Sequence, residues 1–256
     1  MYNNIKKLKE VEMFSVVMYH HINSDDLPLS NSDEMMEAHL ALIAQRYTTL
    51  FPGEEITESS ICLTFDDAYY DFYHHVFPLL KKYNLKALLA VPSAYILDNT
   101  DIAPEKRLSL KHHEIYENYQ TFAPFCTYVE LREMVQSGYV AIASHSMNHI
   151  NLSDEGGGAL EREFFGSKVI LEEKLGYRVE SFVLPYGKYN DAAVALAHEH
   201  YKYVFRIGNA LNPSWDGIGG LVYRIKGDAL KSPDALFKPL KQLGFWFKTV
   251  VKMIKS

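Results

Sequence analysis

The sequence predicts an α/β protein built on a largely parallel sheet of about seven strands. Three observations point there. Seven short apolar runs, rich in β-branched and aromatic residues, recur along the chain. Longer segments of helical periodicity separate most of them. The runs are apolar almost throughout, as befits strands covered on both faces.

Taken in order, the strand-like runs are Met13 to Tyr19, Ile61 to Phe65, Lys86 to Val91, Tyr139 to Ala143, Ser181 to Leu184, Lys202 to Ile207 and Leu221 to Ile225. Helices are expected near Asp33 to Arg46, Tyr69 to Tyr83, Tyr128 to Gln136, Ala159 to Leu175 and Asp191 to His200. A polar stretch from Asp98 to Gln120, containing His112 and His113, interrupts the rhythm as a substrate lid or a solvated insertion. No repeat or linker splits residues 1–230, which read as one domain. Residues 231–256 form a basic amphipathic C-terminal helix.

Composition sets the outer bounds. A chain of 256 residues, 48% hydrophobic and 23% charged, can bury a substantial core. Its net charge of −6 argues against a nucleic-acid partner. Cys62 and Cys126 lie far apart with no metal-ligand spacing, so no disulfide framework is expected. The charged N-terminal residues fit neither a signal peptide nor a spanning helix, and the expected location is cytoplasmic.

Polar chemistry collects where the strands end. Met13 to Tyr19 runs into His20-His21, Ile61 to Phe65 into Asp66-Asp67, Tyr139 to Ala143 into Ser144-His145, and Ser181 to Leu184 into Pro185-Tyr186-Gly187. In an α/β barrel those ends share one face, where loops from several strands build one site. Two adjacent carboxylates repel unless a cation intervenes, so a metal on one leaves the other as a base. The plainer reading has Asp67 capping a helix that begins near Ala68. His145 and His149 stand four residues apart, and on a helical turn both imidazoles would share a face and one divalent ion. Two histidines and a carboxylate suit zinc, cobalt, nickel or iron(II), with positions left open for water and substrate. His74 and His75, without a carboxylate at ligand spacing, read as structural.

Thr64-Phe65-Asp66-Asp67, Ser144-His145-Ser146-Met147-Asn148-His149 and Pro185-Tyr186-Gly187 resemble, in order and spacing, the first three motifs of the polysaccharide deacetylases, carbohydrate esterase family four. The segments Phe125 to Gly138 and Met18 to Ile22 resemble the poly-N-acetylglucosamine deacetylase branch. The resemblance implies a distorted (β/α) barrel of about seven parallel strands. It implies a metal-dependent hydrolase acting on linear amides, removing N-acetyl groups from an amino-sugar glycan. Asp66 would be the general base, and Asp67, His145 and His149 would bind one divalent ion, Zn2+ before Co2+, Ni2+ or Fe2+. Pro185, Tyr186 and Gly187 would line the substrate groove, with a backbone N–H near Tyr186 facing the oxyanion. His20 would be the general acid.

Val183 stands where family members usually carry an arginine that orients the base, and no histidine follows His200. Arg206 and Arg224 are the candidates to replace that cation. Ala68 stands where glycine is usual. These departures motivate an alternative, a non-catalytic glycan-binding protein with the same fold; another is a deformylase of a lipid-linked amino sugar.

The tail divides the charge. Residues 231–256 hold six lysines and one aspartate, a net +5, which leaves −11 on the other 230 residues. A lysine stripe against Leu240, Leu243, Phe245, Trp246, Phe247, Val250, Val251 and Ile254 suits a helix on an anionic membrane, the plainer reading being a last barrel helix. On the membrane reading the enzyme is peripheral on the inner face and acts on a lipid-linked glycan precursor of cell-envelope polysaccharide or lipopolysaccharide biosynthesis.

Overall fold

A computed structural model describes residues 13–23, 29–110 and 114–255. Its core is a closed barrel of seven parallel strands: β1 (Ser15–Tyr19), β2 (Ser60–Phe65), β3 (Ala87–Val91), β4 (Val140–Ser144), β5 (Ser181–Val183), β6 (Tyr203–Ile207) and β7 (Val222–Lys226). Neighbours in sequence are neighbours in space, and β1 closes the ring by pairing with both β2 and β7. This is the expected (β/α) barrel, with all seven expected strands at their places to within one or two residues. The residue pair Thr48–Thr49 adds a short outer pairing to β2, and His21–Ile22 pairs with Ser30–Asn31 above the barrel rim.

Alternation along the strands splits the core in two. Val16, Cys62, Leu88, Ala143, Phe205 and Val222 belong to a cluster inside the barrel. Val17, Leu63, Leu89, Ile142, Val204 and Ile225 belong to a larger outer cluster shared with the helices. Successive strand residues point to opposite faces, and here both faces are apolar because helices cover the outside.

Around the barrel run α1 (Asp33–Arg46), α2 (Phe77–Tyr83), α3 (Tyr128–Gln136), α4 (Ser167–Leu175), α5 (Asp191–His200) and α6 (Pro239–Lys255). Local chemistry sets their ends. The Ser32 side chain accepts from Met35 N to start α1, and Thr127 with Glu130 forms a capping box on α3. The helices expected over Tyr69–Tyr83 and Ala159–Leu175 are interrupted by π-helical turns at Phe72–Val76 and Arg162–Gly166. Such a turn inserts an extra residue and shifts the phase of the buried face. Val76 and Phe77 are consequently both buried although adjacent in sequence.

The Asp98–Gln120 stretch is anchored to the body. Arg107, on a short helix at Pro104–Arg107, is buried against the Tyr70 ring and bonds both carboxylate oxygens of Glu130 and the carbonyls of Ala123 and Phe125. His112 and His113 lie outside the described residues. His75 Nδ1 lies 3.4 Å from Asp33 Oδ2 on the neighbouring helix α1. Cys62 and Cys126 are buried free thiols. Among the described residues no helix is long and apolar enough to cross a membrane.

Candidate active site

Strand register brings the polar ends together. Tyr19 is level with Phe65 and Val91 with Ser144, so the residues that follow, His20, Asp66 and His145, rise from one rim. Asp66 N bonds back to Tyr19 O at 2.9 Å, which holds the first turn beyond β2 against β1. Asp67 and Ala68 then both adopt left-handed backbone, φ 69° and 52°. The Ala68 conformation is one that glycine adopts without strain, which accounts for the family's usual residue there. Asp67 does not cap a helix as the plainer reading had it, because it sits in a left-handed turn and the helix begins only at Tyr70, three residues further on.

His145 and His149 meet through a loop. Residues 145–149 form no helical turn, and Ser146 and His149 have φ 62° and 50°. The helical-face expectation therefore fails, while the convergence it was meant to explain is present. Glu163, buried on the π-turn before α4, holds this loop by accepting from the backbone N–H groups of Met147 and Asn148 and from the Asn148 amide.

Asp67, His145 and His149 offer three ligand atoms within 4.8 Å of one another. The Asp67 carboxylate Oδ1 is 3.1 Å from His149 Nε2 and 3.6 Å from His145 Nε2. Donors sharing one tetrahedral zinc at about 2.0–2.1 Å stand roughly 3.3 Å apart, so this cluster has the right size. The tautomer of His145 fits as well. Its Nδ1 donates to Val183 O at 2.8 Å, which leaves the Nε2 lone pair facing Asp67. Burial pushes the His145 imidazole down to about 4, so at neutral pH it is uncharged and faces a carboxylate acceptor to acceptor. A cation between them relieves that repulsion.

Asp66 is handled differently. Arg224, fully buried inside the barrel, donates from Nη1 to Oδ1 at 2.5 Å and from Nη2 to Oδ2 at 2.9 Å, and Nη1 also reaches Thr64 Oγ1. Burial alone would raise the Asp66 carboxyl, but the guanidinium overrides it and keeps the group ionised. Arg206 is elsewhere: its Nη1 meets the Tyr189 hydroxyl and its Nε the carbonyl of Ile207. Of the two candidate cations, only Arg224 is placed at Asp66.

Opposite Arg224, His20 Nε2 lies 3.7 Å from Asp66 Oδ2, and His20 Nδ1 lies 2.9 Å from Asp228 Oδ2. Asp228 Oδ1 also accepts from the His20 backbone N–H. Burial works against protonation of His20, yet Asp228 and then Asp66 raise it to about 9, so it carries its proton at neutral pH. Sequence reasoning missed Asp228. Its signal was present, since Gly227-Asp228 directly follows β7 at the same rim.

Aromatic rings wall the cluster. The Tyr116 hydroxyl donates to Asp67 Oδ1 at 2.8 Å, and its ring stacks on His149. Burial would raise Asp67, but His149 and this hydroxyl are among the groups that hold it well below the usual carboxylate range. Pro185 and Gly187 bracket Tyr186, which has left-handed backbone at φ 57° and an exposed ring 4.7 Å from His149. No pattern announced Tyr116, which comes from the insertion.

Fold and rim together define a parallel barrel protein whose strand-end loops gather one carboxylate with two imidazoles and hold a second carboxylate apart on an arginine. A family model described as polysaccharide deacetylase matches residues 53–204, more than half of the chain, and the chain belongs to that hydrolase family. YxkH of Bacillus subtilis (strain 168), provisionally named a polysaccharide deacetylase, is 26% identical over 203 residues, 75% of this chain and 63% of its own. Poly-beta-1,6-N-acetyl-D-glucosamine N-deacetylase of Escherichia coli (strain K12) is 28% identical over 132 residues, 49% of this chain and 18% of its own. The chain thus spans under two thirds of either relative. The Streptococcus pyogenes deacetylase PplD, solved with acetate, shares the fold at a TM-score of 0.72 and 23% identity, over 88% of this chain and 97% of that one. Asp66, Asp67, His145, His149 and Pro185 to Gly187 fall inside the family match, whereas His20, Arg224 and Asp228 fall outside it.

Proposed function

We propose that the protein is a metal-dependent hydrolase that removes N-acetyl groups from an amino-sugar glycan or a lipid-linked glycan precursor of cell-surface polysaccharide synthesis. The observation that carries the reading is the segregation of two adjacent carboxylates. Asp67 faces two imidazoles at metal-ligand spacing, while Asp66 is held ionised by Arg224 and faces His20.

On this reading Asp67, His145 and His149 hold one divalent ion, Zn2+ being the best match to the donor set. When bound, the ion supplies an acidified water and polarises the acetamide carbonyl. Asp66 accepts a proton from the attacking water, and Arg224 keeps its carboxylate oriented and charged. The backbone N–H near Tyr186, in its left-handed turn beside His149, donates to the oxyanion of the tetrahedral adduct. An amine leaves poorly unless protonated, and His20, protonated through Asp228, gives its proton to the departing nitrogen. The C–N bond breaks, and acetate and a free amino sugar result. Pro185, Tyr186 and Gly187 form the groove wall. The two free buried cysteines support a cytoplasmic location for this chemistry.

The Arg224–Asp66 pair favours catalysis over a glycan-binding protein without activity, because the cation missing at Val183 is supplied from β7. Acetate release from N-acetylglucosamine oligomers, assayed before and after chelation and after zinc is restored, tests the reading. Release that stops with chelator and returns with zinc supports it. Bound metal without release from any acylated amino sugar would favour the binder, and formate released in place of acetate the deformylase.

A further inference from the structure

The last helix has three sides, and the barrel uses one of them. Phe245 and Thr249 face inward, and Thr249 Oγ1 both donates to Leu211 O and accepts from Leu211 N. A second side carries Leu240, Leu243, Phe247, Val251 and Ile254, at steps of three or four residues that keep them on one stripe. These side chains are exposed, Leu240 by 84%, Phe247 by 56% and Ile254 by 70%. They make up half of the ten large apolar side chains exposed among the described residues. So concentrated an apolar surface marks a contact site.

The third side sets the partner. Lys241, Lys248 and Lys255 share the exposed flank next to the apolar stripe at helical spacing, while Lys252 lies over the Tyr223 ring, and residues 235–256 contain no acidic residue. Residues 1–230 carry a net −11, so the last segment differs in sign from the rest of the chain.

We propose that α6 docks the protein on an anionic lipid surface, with Leu240, Leu243, Phe247, Val251 and Ile254 entering the acyl boundary and the lysine flank lying among the headgroups. A laterally continuous anionic surface complements both sides at once. A second copy of the chain would bring lysines of like sign to the same seam. The helix lies in the interface and does not cross it, in keeping with its length and charge. Near its C-terminal end Lys252 and Lys255 line a shallow cavity on the side of the barrel with Tyr189, Asp191, Leu221 and Tyr223. The proposal goes beyond deacetylation, and its test needs no activity.

The test is flotation of the full chain with vesicles of equal parts phosphatidylglycerol and phosphatidylcholine, and with phosphatidylcholine alone. The expected result is binding to the anionic vesicles, weakened by salt, and weak binding to the neutral ones. Phe247→Asp with Val251→Asp, both at exposed positions, should reduce partitioning by roughly tenfold or more, as should Lys248→Glu with Lys255→Glu. Unchanged thermal melting of the variants shows that the fold is intact. Wild-type protein that stays off anionic vesicles overturns the proposal, as does binding equal in wild type and variants. A dimer lost in the Phe247/Val251 variant, without vesicle binding by the wild type, would assign the face to a second copy and overturn it too.

Discussion

His20 shows how a single residue is tuned by two carboxylates with different duties. Asp228 bonds its Nδ1 and Asp66 faces its Nε2, and together they lift its pKa to about 9 against the opposing effect of burial. In the proposed role of general acid His20 must be protonated, so the alkaline limb of the rate profile should follow its deprotonation. Asp228→Asn should move that limb toward lower pH and reduce turnover, which a pH profile of acetate release measures. The same shift carries a stability effect. With the folded pKa raised from 6.5 to about 9, His20 stabilises the fold fully below about pH 6.5, and that contribution is lost as pH rises through 9. Urea midpoints across that window should therefore fall with pH in the wild type and fall less in Asp228→Asn. Arg224 is the other such residue. Arg224→Met would leave Asp66 buried without its cation and should cost about 3–5 kcal/mol of stability, read by chemical denaturation. The sequence could not choose between Arg206 and Arg224, because both late strands are apolar on both faces. Alternation decides it: Arg224 shares the inner side of β7 with Val222, whereas Arg206 shares the outer side of β6 with Val204.

The elements of the barrel were the most legible part of the sequence. Seven apolar runs became seven strands, and α1, α3 and α5 match their expected ranges. The misreadings arose where loops, not periodic elements, set the geometry. His145 and His149 share a site through two left-handed residues and the grip of Glu163, features with no period to detect. The insertion is the clearest case. It looked like a lid or a solvated loop, yet Arg107 fixes it to α3 and so presents Tyr116 to Asp67. Arg107→Ala removes a buried cation from the Glu130 carboxylate and should lower stability by about 3 kcal/mol. Because Glu130 also caps α3 and the segment carries Tyr116, zinc affinity should fall as well, a change that titration calorimetry would detect. Glu163→Gln retains the shape but weakens charge-assisted bonds to the histidine loop, and should reduce zinc affinity by about 10-fold or more.

At the scale of the whole molecule, the barrel gathers its chemistry on one rim, and the net charge divides into −11 on residues 1–230 and +5 on residues 231–256. The proposed reaction requires two neighbouring aspartates with separate partners, and the closed barrel provides them: Asp67 turns outward to the loops after β4, and Asp66 inward to β7. If Asp67, His145 and His149 are the ligands, zinc should raise the melting temperature. At a free concentration of about 100 times Kd the gain is about 2.7 kcal/mol, and Asp67→Ala or His149→Ala should abolish both that gain and the activity. The most direct measurement is the zinc content of purified Asp66→Asn, taken alongside its rate of acetate release. The assignment of Asp66 as base and Asp67 as ligand predicts one equivalent of zinc, as in the wild type, with turnover reduced by about 10²–10⁴-fold. Loss of the zinc from Asp66→Asn would contradict it and reverse the two roles.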